Sequence, residues 1–136
     1  MQPKRTLPCA ATPAYICRVD EAGVISTFAG NGEATFAGDG TLATSASLNM
    51  PTAINFGPTG VAYISDTTNA RVRTVDANQT ITTYAGDGTP AYDGDGKPAT
   101  EASLFLPMQT AFDAAGNLHI ADFNNHVSRR FEDQAC

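Results

Sequence analysis

Gly38-Asp39-Gly40-Thr41-Leu42-Ala43-Thr44-Ser45-Ala46-Ser47-Leu48-Asn49-Met50-Pro51 returns 56 residues later as Gly94-Asp95-Gly96-Lys97-Pro98-Ala99-Thr100-Glu101-Ala102-Ser103-Leu104-Phe105-Leu106-Pro107. Outward from this segment, residues 19–73 align with 75–129 without a gap, and 22 of the 55 positions are identical. Asp66 meets Asp122, Asn69 meets Asn125 and Arg73 meets Arg129. A repeat of this length implies supersecondary units that bury their apolar faces only by stacking on one another.

Within one repeat, four short segments read as strands: 53–56, 61–65, 70–75 and 80–85. Each is β-branched or alternating, and turn chemistry such as Gly57-Pro58-Thr59-Gly60 and Asp76-Ala77-Asn78 separates them. The long connection 86–106 then leads to the next repeat, with one or two helical turns expected over 98–104 behind Pro98. Four antiparallel strands and one long crossing make a β-propeller blade. Parallel β-helix repeats are far shorter, and a WD motif is impossible without tryptophan.

These residues resemble the NHL-repeat family. Asn125-His126-Val127 follows Ile120-Ala121-Asp122, and the stretches 64–73 and 25–30 (Ile-Ser-Thr-Phe-Ala-Gly) have the same character. Gly-Asp-Gly, Ala-Thr and Leu-x-x-Pro recur in order. The resemblance covers residues 15–131 and implies blades of an all-β propeller, commonly six; Ala70 stands where the family has histidine. Residues 15–30 then form a partial blade, 51–86 a full one and 107–131 an incomplete one. The segment 1–14 is expected to be irregular and 132–136 to be a tail. The expected nine strands, two, four and three, cannot close a propeller. A fragment of a larger protein, a short degenerate solenoid and self-association are the available explanations. In the last, the N-terminal strand pair of one chain would complete the C-terminal blade of another, and three chains would close a ring.

A net charge of −6 disfavours nucleic-acid partners, which need clustered Lys and Arg. The chain shows no signal peptide and no membrane span. Its compartment is open, with the cytoplasm as default unless the N-terminus is truncated. Cys9, Cys17 and Cys136 show no paired spacing or metal motif, and their roles are unassigned.

Because strands alternate in direction, turns 66–69 and 122–125 share a face with the long connections. Asp66, Thr67, Asp87, Tyr92, Asp93, Asp95, Asp122, Phe123 and Asn124 form the candidate interaction face. Its acidity suits cations or basic partners. Recurrence in both repeats also fits Asp66, Asp122, Asp39 and Asp95 to turn-building. Asp93-Gly94-Asp95-Gly96 fails as a calcium loop, because Lys97 and Pro98 occupy the third-ligand and glycine positions. His119 and His126 are too few for a zinc site. There is no nucleophile elbow and no phosphate loop.

The sequence thus points to a non-catalytic module without cofactor, presenting loops to a protein or small ligand. One alternative is a fragment of a propeller lyase or hydrolase whose catalytic residues lie in other blades. Another is RNA binding through Arg71, Arg73, Arg129 and Arg130, for which pairing with nearby aspartates is the competing explanation.

Overall fold

The computed structural model describes residues 5–8, 14–93, 95–125 and 127–131. Three antiparallel sheets follow one another along the chain. Blade one holds β1 (Arg5–Pro8), β2 (Ile16–Val19) and β3 (Ile25–Ala29). Blade two is the complete unit, with β4 (Pro51–Phe56), β5 (Ala62–Asp66), β6 (Arg71–Val75) and β7 (Ile81–Ala85) hydrogen-bonded in that order. Blade three holds β8 (Pro107–Phe112), β9 (Leu118–Asp122) and β10 (Val127–Phe131), with β10 at its edge. The fold is all-β and propeller-like, with an incomplete set of blades.

Blade one differs from expectation. Arg5–Pro8, within the segment read as irregular, pairs with β2 from Arg5 opposite Val19 to Pro8 opposite Ile16. Pro8 is tolerated because β1 is an edge strand and Pro8 is its last residue. Blade one therefore has the second, third and fourth strands of a unit, and blade three the first three. The proposed exchange of a strand pair between chains does not fit this count. The terminal sheets already hold three strands each, so joining them puts six where four belong.

The repeated Leu-x-x-Pro segments explain how the blades adhere. Ala43, Ala46 and Leu48 of the first long connection enter a core with Ile16 and Phe28 of blade one and Ala62, Ile64, Val75 and Ile81 of blade two. Leu104 of the second connection does the same between Val72 and Ala85 of blade two and Leu118 and Ile120 of blade three. Leu48 and Leu104 are fully buried, each contributing about 1.5–3 kcal/mol. Tyr63 meets Tyr84 and Phe112 edge-on, with ring centroids 5.2 and 4.9 Å apart. The helical turns expected over 98–104 shorten to one 3₁₀ turn, Ala99–Glu101, matched by Ala43–Ser45 in the first connection.

The inner strands are joined by side chains. Thr52 Oγ1 donates to the Met108 carbonyl at 2.7 Å, Asn55 Nδ2 to that of Thr110 at 3.1 Å, and Thr67 Oγ1 to that of Pro107 at 2.7 Å. Carbonyls on the free flank of β8 thus gain partners from blade two, which fixes the angle between the blades.

Cys17, at the repeat position of Arg73 and Arg129, is disulfide-bonded.

On the face away from the long connections, Asp20, Asp76 and Asp113 build hairpin turns in the same way. Each Oδ1 accepts the N–H groups two and four residues on. Asp113 also meets His119 Nε2 at 3.0 Å. That hydrogen bond, helped by the Asn117 N–H, holds the Asp113 carboxyl well below the usual carboxylate range. A lowered folded-state value means stability that is present above the unfolded value of about 3.9 and lost as pH falls through the folded one. Asp113→Asn is therefore expected to melt lower than the parent at pH 7, with the gap closing progressively below about pH 4. Thermal melts across that range check it, and a gap independent of pH would contradict the assignment.

Candidate functional site

The long-connection face is organised around an arginine. Arg73, on β6, is fully buried. Its Nη1 donates to the Ser47 carbonyl at 2.7 Å and to Asp66 Oδ2 at 3.3 Å. Its Nη2 donates to the Ala37 carbonyl at 3.0 Å and to Asp39 Oδ1 at 2.9 Å. Asp66, at the end of β5 and equally buried, accepts the Asn49 N–H at 2.8 Å and Asn69 Nδ2 at 2.8 Å. Asn69 in turn donates to the Thr35 carbonyl. One guanidinium and one carboxylate thereby clamp the whole first connection to blade two.

Blade three repeats the arrangement. Arg129 Nη1 donates to the Ser103 carbonyl at 2.7 Å and reaches Asp122 Oδ2 at 3.4 Å, while its Nη2 lies 3.3 Å from Asp95. Asp122 accepts the Phe105 N–H at 2.6 Å and Asn125 Nδ2 at 2.7 Å, and Asn125 continues to the Ala91 carbonyl. Aromatic rings cover both guanidinium groups: Phe36 lies 4.7 Å from Arg73, and its repeat partner Tyr92 lies 5.1 Å from Arg129. Burial pushes the Asp66 carboxyl up, opposed by the Asn49 N–H, Asn69 and Arg73.

This geometry sorts the nine candidates. Asp66 and Asp122 are fully buried and Thr67 nearly so, which removes them from any contact surface. Thr67 instead hydrogen-bonds between blades. Asp87 accepts the Thr89 N–H and the Ser103 hydroxyl, and Asp93 accepts the Ser103 N–H and pairs with Lys97. Both carboxylates nevertheless remain exposed. Tyr92, Asp95, Phe123 and Asn124 are exposed as well. Asp95 is shared between the Arg129 clamp and the surface, with its side chain 76% exposed. The sequence reading grouped all nine as one exposed face. It missed that Asp66 and Asp122 point inward, a consequence of each having an in-register Arg seven residues on.

The same geometry withdraws two arginines from the RNA reading. Arg73 and Arg129 are buried in ion pairs, and Arg71 stacks 3.6 Å from the Phe36 ring centroid while donating to the Asp87 carbonyl. His119 braces the Asp113 turn, and His126 lies outside the described residues. Among the described residues, no three His, Cys, Asp or Glu side chains are placed to hold a metal ion.

No family model and no curated protein matches the chain. Solved structures do. An auxiliary nutrient binding protein from Bacteroides thetaiotaomicron VPI-5482 superposes with a TM-score of 0.75 at 22% identity, over 91% of this chain and 33% of that one. Another, from Bacteroides ovatus ATCC 8483, gives 0.70 at 27% identity over 87% and 32%. A further B. thetaiotaomicron protein, described provisionally as a phosphatase, gives 0.69 at 20% over 91% and 31%. The chain thus spans about a third of the length of these structures, and the likeness is one of fold.

Tyr92 reports on the exposed part of the site. Its hydroxyl donates to Asp95 Oδ2 at 3.2 Å, and that bond, together with the Asp95 charge, holds the phenol above its ordinary value. In Asp95→Asn the Tyr92 midpoint is expected to fall toward that of a free tyrosine, followed by the Cζ resonance in ¹³C-tyrosine-labelled protein. An unchanged midpoint would mean the two groups do not meet in solution.

Proposed function

We propose that this chain is a non-catalytic, NHL-like β-propeller module that takes a basic protein or a small cationic ligand on its long-connection face. The observation that carries the reading is the division of charge there. The arginines of the face's framework are turned inward, while Asp87, Asp93, Asp95, Glu33, Asp39 and Glu101 remain exposed beside Lys97. Carboxylates clustered on a rigid scaffold raise the local concentration of cationic partners and steer their approach. Two of the similar structures are described as nutrient binding proteins, which favours binding over turnover.

A fluorescent Lys-rich octapeptide is a suitable probe, titrated at low and at physiological salt. Binding is expected at low salt, with a several-fold loss at higher salt as exposed charges are screened. The double variant Asp87→Asn/Asp93→Asn is expected to weaken it several-fold further while leaving Tm nearly unchanged, because each asparagine keeps an acceptor oxygen for its backbone or hydroxyl partner. Peptide binding that ignores both salt and the two substitutions would contradict the proposal. So would turnover of a phosphomonoester by the purified chain.

A further inference from the structure

The two long connections differ by one amide at a chemically reactive place. Asn31-Gly32 of the first stands opposite Asp87-Gly88 of the second, and every other asparagine of the chain precedes a residue that has a Cβ. Asn31 and Gly32 are both exposed. Asn31 Oδ1 accepts the Glu33 N–H at 2.9 Å and the Ser47 hydroxyl at 3.2 Å, while its Nδ2 donates to the Ser45 carbonyl at 3.3 Å. Asp87 is seated alike. Its Oδ1 accepts the Thr89 N–H at 2.8 Å and its Oδ2 the Ser103 hydroxyl at 3.1 Å. A carboxylate therefore fits the seat in which Asn31 lies.

An asparagine followed by glycine is open to attack by its own backbone, because no Cβ shields the next nitrogen. The Gly32 N–H has no backbone acceptor among the described residues, so no such bond must break before it reacts. As that nitrogen adds to Asn31 Cγ, negative charge develops on Oδ1. Two donors, the Glu33 N–H and the Ser47 hydroxyl, already point at this oxygen. Donors fixed where charge develops lower the barrier to addition at a carbonyl carbon.

We infer that Asn31 is a self-modifying site, its amide converted to a carboxylate through the backbone of Gly32. The Gly32 nitrogen gives its proton to hydroxide and bonds to Asn31 Cγ. The Cγ–Nδ2 bond breaks, and Nδ2 leaves as ammonia with a proton drawn from water. The five-membered imide that results takes up a water molecule. Opening at the Cγ–N bond leaves an aspartate at position 31, and opening at the Asn31 main-chain carbonyl leaves the isoaspartyl isomer. The aspartate keeps the Glu33 and Ser47 donors, as Asp87 keeps its two, and gives up the bond to Ser45. Either product adds a negative charge to the face on which Glu33, Asp39 and Asp87 are exposed. Tighter capture of a cationic partner follows only if the function proposed above holds; the conversion itself does not depend on it.

The intact chain, folded in mildly alkaline buffer, is sampled over time and mapped by peptide mass spectrometry. The mass gain of an amide-to-acid change is expected at Asn31 ahead of every other asparagine, with ammonia released in equal amount. Ser47→Ala removes one donor to Oδ1 and is expected to slow the folded-state conversion several-fold, while in urea it converts at the parent rate. A melt establishes that this variant is folded. Gly32→Ala is a poor control, because a Cβ there would collide with the Tyr15 hydroxyl. The inference is overturned if Asn31 is still intact in the folded chain after it has converted in urea, or if folded Ser47→Ala reacts as fast as the parent. The Lys-rich octapeptide is expected to bind the converted protein several-fold more tightly at low salt. Equal binding by fully converted protein would overturn the cationic-partner reading and leave the modification site standing.

Discussion

Two buried arginines carry the architecture. An unpaired guanidinium inside a protein costs several kcal/mol, so Arg73 requires the carboxylates of Asp66 and Asp39 and the carbonyls of Ser47 and Ala37 to be where they are. Those partners lie on a different strand or on the long connection. Satisfying one side chain therefore sets the path of some 20 residues that otherwise have little regular structure. Once the connection is fixed, Leu48 or Leu104 is delivered into the space between blades, and the apolar cores close around it. Polar clamp and apolar core are coupled through the same loop. Blade one has Cys17 at this position, and a disulfide there in place of an ion pair.

Much of this was legible in the sequence because the repeat exposes it. Gly-Asp-Gly, the aspartate closing the second strand and the arginine of the third recur at one spacing, and so does the geometry joining them. The strands of blade two were read to within a residue or two at either end, since β-branched alternation and turn residues agree there. Two things were hidden. Arg5–Pro8 lacks apolar alternation and contains proline, so its pairing with β2 depends on a partner strand and not on its own composition. The inward aim of Asp66 and Asp122 was hidden too, because an aspartate after a strand looks the same whether it caps a turn at the surface or neutralises a buried arginine.

For function, the sorting matters more than the inventory. Residues that obey the repeat, such as Asp66, Asp122 and the two arginines, are occupied in clamping the long connections, and Thr67, which the repeat replaces with Phe123, joins blades two and three. The exposed carboxylates Asp87 and Asp93 lie on the second connection where the two copies differ, opposite Asn31 and Ala37. The Arg129 clamp holds that connection in place, and a framework already ordered lowers the cost of any binding to it.

The central claim is that Arg73 and Asp66 act as one unit. A double-mutant cycle with Arg73→Met and Asp66→Asn, read by urea unfolding, measures it most directly. Each single variant is expected to lose about 3–5 kcal/mol, because its former partner is left buried and unmatched. The double variant is expected to lose less than the sum by about 1–3 kcal/mol. Strictly additive losses, or single variants as stable as the parent, would contradict the account.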